Sequence, residues 1–472
     1  MTTLSLRRGA SAALVAIAAI SIAAGGWRLA DAANVIRIGA VFPITSNAAG
    51  LAGPELAGVR IAVDIVNADG GIAGRHVELE VRDLRSRADA DSVMSELRSS
   101  GVQLVIGAYA SDLSIAASQA ADRAGLLYWE AGAVADRLTG RGLPLVFRVG
   151  ASGSNLGTNS ASFAATELAS RLGKAVDQLR IALAVADDDY ANSVADAAES
   201  TARAKGMPVV MRRAYNLTLP DWPAVMADLQ AARPDVIILA SHIPDGIAFR
   251  QAMLRSGLRV GALIGSTMAE CDPDFAGELG AGAIGVFASD RPTAGFRPTA
   301  LRPDAAAAYA RFETAWATLA AQAGGSGDVS TGDGYGAGGG RYGAGGGYGT
   351  VDSEYSIHGP AENATAEESE EALSGFTAAW TLFEQVLPRA LGPGGAGALD
   401  PGSVAAAARS LDLPEGSLPN GAGLRFSTSQ ATLGQNERAA AVMWQWTAER
   451  TYAFVWPPAY ATANVAFVPL DR

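Results

Sequence analysis

The chain has 472 residues, 49% of them hydrophobic, and carries 36 Lys and Arg against 48 Asp and Glu for a formal charge of −12. That length exceeds what one hydrophobic core organises, so two lobes or domains are expected. The acidic balance excludes a surface built to neutralise phosphates or to coat anionic lipid, and nucleic acid is not an expected partner.

The N-terminus reads as export. Arg7 and Arg8 precede the apolar run 13–24, and small residues continue through Ala30-Asp31-Ala32. The run is short for a bilayer span, so residues 1–33 are expected to be a signal peptide cleaved after Ala32, with an uncleaved N-terminal anchor as the alternative. An exported protein, periplasmic or at the cell surface, follows. Cys271 is the only cysteine, which excludes an intrachain disulfide. As a catalytic nucleophile it is disfavoured against a small buried hydrophobe.

From Asn34 onward, short β-branched runs alternate with helical stretches. Strands are expected at 35–41, 77–81, 104–106, 126–129, 181–185 and 236–240, and helices at 58–67, 89–99, 192–204 and 222–232. This rhythm predicts an α/β fold with parallel sheets flanked by helices. Small and polar residues cluster where strands end, at 107–112 and 186–190, and such strand ends are where open α/β sheets bind ligands. Ser111 and Asp187 could equally be helix caps. A compositional break from 324 to 371 holds a Gly/Tyr tract and the acidic run 367–371, and is expected to be a disordered surface insertion. Order should resume with an amphipathic helix at 376–387 ended by Pro388, then two strands at 439–446 and 451–456 joined by a turn.

The order of motifs resembles the type I periplasmic solute-binding proteins of ABC transporters, in the branch that holds leucine, isoleucine and valine. The most specific piece runs from Gly58 through a helix to Asn67-Ala-Asp-Gly-Gly-Ile-Ala-Gly-Arg75, followed by Val77-Glu-Leu-Glu-Val-Arg-Asp83. Paired glycines end such a helix in a left-handed turn and release the chain into the next strand. Further matches are 106–111, 124–139, Phe147-Arg148, 187–190, 257–260 and 423–426. The resemblance implies two lobes with a ligand in the cleft between them: lobe one at 34–150 and 292–435, lobe two at 151–291 and 436–472.

Carried over by position, the resemblance implies that Ser111 meets a ligand carboxylate and that main-chain groups of Gly132 and Val134 complete that subsite. Val134 stands where threonine is usual, which removes a hydroxyl but leaves an N–H. Tyr190 falls on the tyrosine that the second lobe lays across the ligand, with packing beside the 187–189 turn as its alternative. Ser241 and His242 should face the cleft, although His242 could equally be solvated at a strand end. Thr267 occupies a position where amino-acid binders of this branch commonly carry an acid for the ligand ammonium. Glu270 either reaches in or is a solvated loop residue. If only Thr267 faces the ligand, an unpaired buried ammonium is costly, and an amide, urea-like compound or carboxylic acid fits better.

The three histidines, His76, His242 and His358, lie far apart in sequence and form no metal-ligand spacing or Ser/His/Asp arrangement. There is also no Gly-x-Ser-x-Gly elbow and no phosphate loop. No metal, cofactor or catalysis is expected. The expected protein is a monomeric solute receptor that hands an amino acid or related ligand to an ABC transporter permease, with a sensor for a membrane signalling partner as the alternative.

Overall fold

Runs such as Val35-Ile-Arg-Ile-Gly-Ala-Val41 and Val236-Ile-Ile-Leu-Ala240 are too apolar for a half-exposed strand, and they form the buried strands of two separate sheets. The structure, a computed structural model, describes residues 35–470 apart from 47, 267–272, 293–294, 325–368, 396 and 450. The expected export segment 1–33, Thr267, Glu270, Cys271 and most of the glycine-rich stretch therefore lie outside the described residues.

The first sheet has the order β2-β1-β3-β4-β5 and is parallel throughout. Its strands are Val35–Phe42, His76–Asp83, Leu104–Gly107, Leu127–Glu130 and Val146–Arg148. The second has the order β12-β11-β10-β9-β8-β6-β7. Strands β6 to β10 (Ile181–Ala186, Val209–Tyr215, Val236–Ala240, Ala262–Ser266 and Phe287–Asp290) run parallel. The ribbon β11 (Val442–Ala448) and β12 (Thr451–Trp456) adds antiparallel to β10. Both faces of the first sheet carry a core. Ile38, Trp129 and Phe147 pack with Phe376 and Phe383 on one side, while Val105 and Tyr128 pack with Met94 and Leu113 on the other.

The link from α1 (Ala49–Ala68) to β2 gives a physical account of the Asn-Ala-x-Gly-Gly motif. Gly70 and Gly71 take φ of 96° and 75°, and the Gly71 N–H bonds back to Val66 O. Asn67 then clamps the start of β2, donating to Val77 O at 2.9 Å and accepting from Val77 N at 2.8 Å. Asp83, at the end of β2, accepts from Ile44 N at 2.8 Å and so holds the loop that follows β1.

Two expectations need correction. The helix expected to end at Pro388 continues past it: Ser369–Trp380 runs into a π segment, Thr381–Val386, and on through Leu387–Leu391. Proline cannot donate the usual backbone bond, and the wider π turn just before it lets the helix carry on. The stretch expected to be disordered from 324 to 371 is helical at its edges, where Gly324 closes the helix Pro303–Gly324 and Ser369–Glu371 opens the next. Among the described residues no helix is long and apolar enough to cross a membrane.

Candidate ligand-binding cleft

The carboxyl ends of strands from both sheets face one another. On the first side stand the start of α3 (Ser111–Ala124) and the loop 131–136; on the second stands the start of α5 (Asp189–Ala204). They touch directly: Arg137 pairs with Asp189 at 2.9 Å, and Asp136 N–H donates to Ser193 Oγ at 3.0 Å. Val134 and Tyr190 belong to one apolar cluster.

The loop 131–135 is wired from behind. Glu130, fully buried at the end of β4, accepts with Oε1 from the N–H groups of Ala131, Gly132 and Ala133 at 3.1, 2.9 and 2.8 Å. Ser111 Oγ accepts from Ala135 N at 3.2 Å. The carbonyls are taken as well, that of Ala131 by Ser374, of Gly132 by Arg291 at 2.9 Å, of Val134 by Gly153 N–H, and of Ala133 and Ala135 by Arg148. No acceptor among the described residues takes the Val134 N–H. That N–H stands next in the chain to the residue held by Ser111, whose hydroxyl hydrogen is free to donate because its oxygen is the acceptor here. The N-terminus of α3 adds its partial positive charge, so the corner suits a carboxylate.

Behind Gly132 lies a buried group of acids and arginines. A Cβ on Gly132 would lie 1.9 Å from Glu55 Oε2, so only glycine lets α1 and this loop approach so closely. Burial, then the charges of Glu371 and Glu130, push Glu55 well above the usual carboxylate range against the pull of Arg291. Arg291 pairs with Glu371 at 3.2 Å. Burial also raises Glu130 to about 7, although the Ala133 and Gly132 N–H groups oppose it.

On the second side, Tyr190 is buried, its hydroxyl donates to Ser266 O, and its ring meets that of His242 edge-on at 5.1 Å. His242 Nε2 lies 2.8 Å from Asp188, and Tyr215 donates to Asp245, whose other oxygen accepts from His242 N at 3.0 Å. Burial opposes the imidazolium, but the Asp188 hydrogen bond and the charges of Asp245, Asp188 and Asp112 raise its pKa overall. Ser241 is buried beside it, and its Oγ has no partner among the described residues. No group of three or more His, Cys, Asp or Glu among the described residues could hold a metal ion.

A family model described as "periplasmic binding protein" matches residues 35–336, well over half of the chain. The chain belongs to the periplasmic binding proteins. This binding protein is 27% identical over 452 residues to Leu/Ile/Val-binding protein homolog 8 of Brucella suis biovar 1, covering 95% of this chain and 97% of the relative. It is 30% identical over 254 residues to homolog 7 of Brucella melitensis biotype 1, covering 54% and 63%. Solved structures of like fold include the branched-chain amino acid transporter substrate-binding protein of Streptococcus pneumoniae in complex with isoleucine. Its TM-score is 0.63 at 18% identity, covering 90% of this chain and 100% of that one. An R. palustris solute-binding protein in complex with benzoate gives 0.61 at 15% identity, covering 91% and 98%.

In this periplasmic binding protein, then, Ser111, Gly132 and Val134 come together at one corner, and Tyr190 belongs to the same apolar cluster as Val134. Gly132 has both main-chain groups engaged inside the protein, whereas Val134 keeps its N–H. Ser241 and His242 lie together at the start of α7 (Ile243–Ser256), His242 against Tyr190. Thr267 and Glu270 fall outside the described residues. Sequence reasoning missed Glu55, Glu130, Arg291 and Glu371. One signal was available for Glu55, an acid inside the otherwise apolar stretch Leu51-Ala-Gly-Pro-Glu-Leu-Ala57.

Proposed function

We propose that this periplasmic binding protein is the solute-binding component of an ABC importer, holding a small carboxylate ligand, an amino acid or close relative, between its lobes. The observation that carries this is the pair of donors at Val134 N–H and Ser111 hydroxyl that nothing among the described residues takes, set at the N-terminus of α3, with Tyr190 in the same apolar cluster as Val134. Ionised acceptors draw strong hydrogen bonds from such donors, so no arginine is required. The names of the Leu/Ile/Val-binding homologs support an amino acid as the ligand. The lobes would be 34–150 with 292–435 and 151–291 with 436–472, closing by a hinge motion.

A second reading, a plain carboxylic acid or an amide, is favoured by one observation. Every carbonyl from Ala131 to Ala135 already accepts at least one hydrogen bond, so that loop offers an ammonium second lone pairs at most. An amino-acid ligand would then draw its charged acceptor from the other lobe, with Asp188 or Glu270 as candidates. Calorimetry with leucine, 4-methylpentanoate and leucine amide separates the readings. Tighter binding of leucine supports the first, and tighter binding of either of the others supports the second. Ser111→Ala should weaken the acids by roughly tenfold or more, the worth of a hydrogen bond to a charged group. Silence from all three ligands, with no thermal shift, overturns both.

A further inference from the structure

We propose that lobe two carries a second ligand site, remote from the cleft, that takes a carboxylate borne on a hydrocarbon body and pairs it with Arg250. The site is a recess of about 430 Å³ beyond the amino-terminal ends of β9 and β10, opposite to the strand ends that form the cleft. A volume of this order suits a small ligand. Apolar side chains form part of its wall. Leu254 packs over Gly282, where a Cβ would meet its Cδ1 at 2.9 Å, while Leu470 and Phe467 pack over Gly285. Leu470 N–H is tied to Gly261 O at 2.9 Å, which fixes the C-terminal wall.

Arg250 makes this recess more than an apolar dent. Its side chain is buried, with only 7% of the residue exposed, and its one hydrogen bond among the described residues runs from Nε to Gly282 O at 2.9 Å. No acid among the described residues pairs with it, and burial alone pushes its pKa down to about 10. The other deeply buried arginines differ: Arg291 pairs with Glu371, and Arg148 is bonded to Gln435 and two carbonyls. A buried guanidinium without a carboxylate is costly to maintain, and its planar fork matches a carboxylate in two-point contact. Exposed Arg259 adds a second positive charge at the rim. In a chain of net charge −12, a recess with cations and no acid in its lining is chemically selective for an apolar anion.

Octanoate, octanol and acetate, titrated by calorimetry into the full chain, test this. Octanoate should bind at least tenfold tighter than either of the others, since it alone supplies both head and body. Arg250→Met should abolish that advantage, and Arg250→Lys should keep part of it while confirming that the position tolerates change. Thermal unfolding should show at most a small loss in either variant, since each gives up the Nε bond to Gly282 O while Arg250→Met also removes a buried charge that no acid among the described residues pairs. Ser111→Ala, which alters only the cleft, should leave octanoate binding unchanged, so failure here and failure of the proposed function are separately visible. No octanoate binding, equal affinity in Arg250→Met, or loss in Ser111→Ala instead would overturn the proposal.

Discussion

Three backbone N–H groups converge on one oxygen of Glu130, yet burial still holds this acid at about 7 against an ordinary value of 4.5. A carboxyl raised on folding keeps its proton in the native state after the unfolded chain has lost its own. Stability therefore falls as pH rises from about 4.5 through about 7, by roughly 3 kcal/mol for this group. His242 acts in the same direction. Its raised pKa gives stability that is full below about 6.5 and is lost as pH climbs through the folded value. Asp188, which the His242 bond holds low despite its burial, loses its contribution only in acid below its unfolded value near 4. Melting temperatures should thus be highest in mildly acidic buffer. Glu130→Gln should flatten the decline between pH 4.5 and 7, and an unchanged slope would show that Glu130 does not titrate there. At this scale the sequence was a partial guide. Ser111 and Tyr190 lie in strand-end loops that the sequence singles out, whereas Val134 and the roles of all three rest on the family resemblance. Glu130 could not be placed, because an acid at the end of an apolar run looks the same whether it faces water or three amides, and Glu371 was hidden in an acidic run that reads as solvated.

The motif Asn67-Ala-Asp-Gly-Gly was legible because all of its contacts are local: the glycines supply the turn and Asn67 bonds the strand ten residues on. Asn67→Ala should strand the N–H and C=O of Val77, a buried residue, and cost about 2 kcal/mol. A lowered urea midpoint with an unchanged slope is the expected signature. Pro388 shows the limit of local rules. The sequence says that a proline stops an α-helix, but the packing of Phe376, Leu382 and Phe383 into the first core rewards continuation, and a π segment accommodates it. The same competition explains why β5, β7, β9 and β10 were not picked out as strands. Val146–Arg148 is only 3 residues long and Phe287–Asp290 ends in Ser289 and Asp290 rather than in an apolar run, and both are strands because neighbouring strands hold them.

At the scale of the whole molecule, the two lobes meet through polar contacts at the cleft mouth and through paired connecting segments. Arg148 N–H and C=O bond Gly434 O and Asn436 N–H, while Asn436 Nδ2 reaches Val149 O, so two of the crossings are laced together. Arg137 and Asp189, by contrast, are both more than half exposed, and such pairs contribute little. Arg137→Ala should shift the melting temperature by no more than a degree or two and change ligand affinity by a few-fold at most, with the difference vanishing in high salt. A large loss that persists in salt would show that the pair latches the closed form. The sequence by itself determined the α/β class, the strands with long apolar runs, the turn motif and the loops at strand ends, because each depends on residues within about a dozen positions of one another. Only the tertiary structure decided that Glu55, Glu130, Arg291 and Glu371 share one buried cluster, that among the described residues nothing takes the Val134 N–H while that of Gly132 is taken, and that Arg250 is buried with no described acid beside it. Those facts depend on desolvation and on partners up to hundreds of positions away, and no local pattern encodes either.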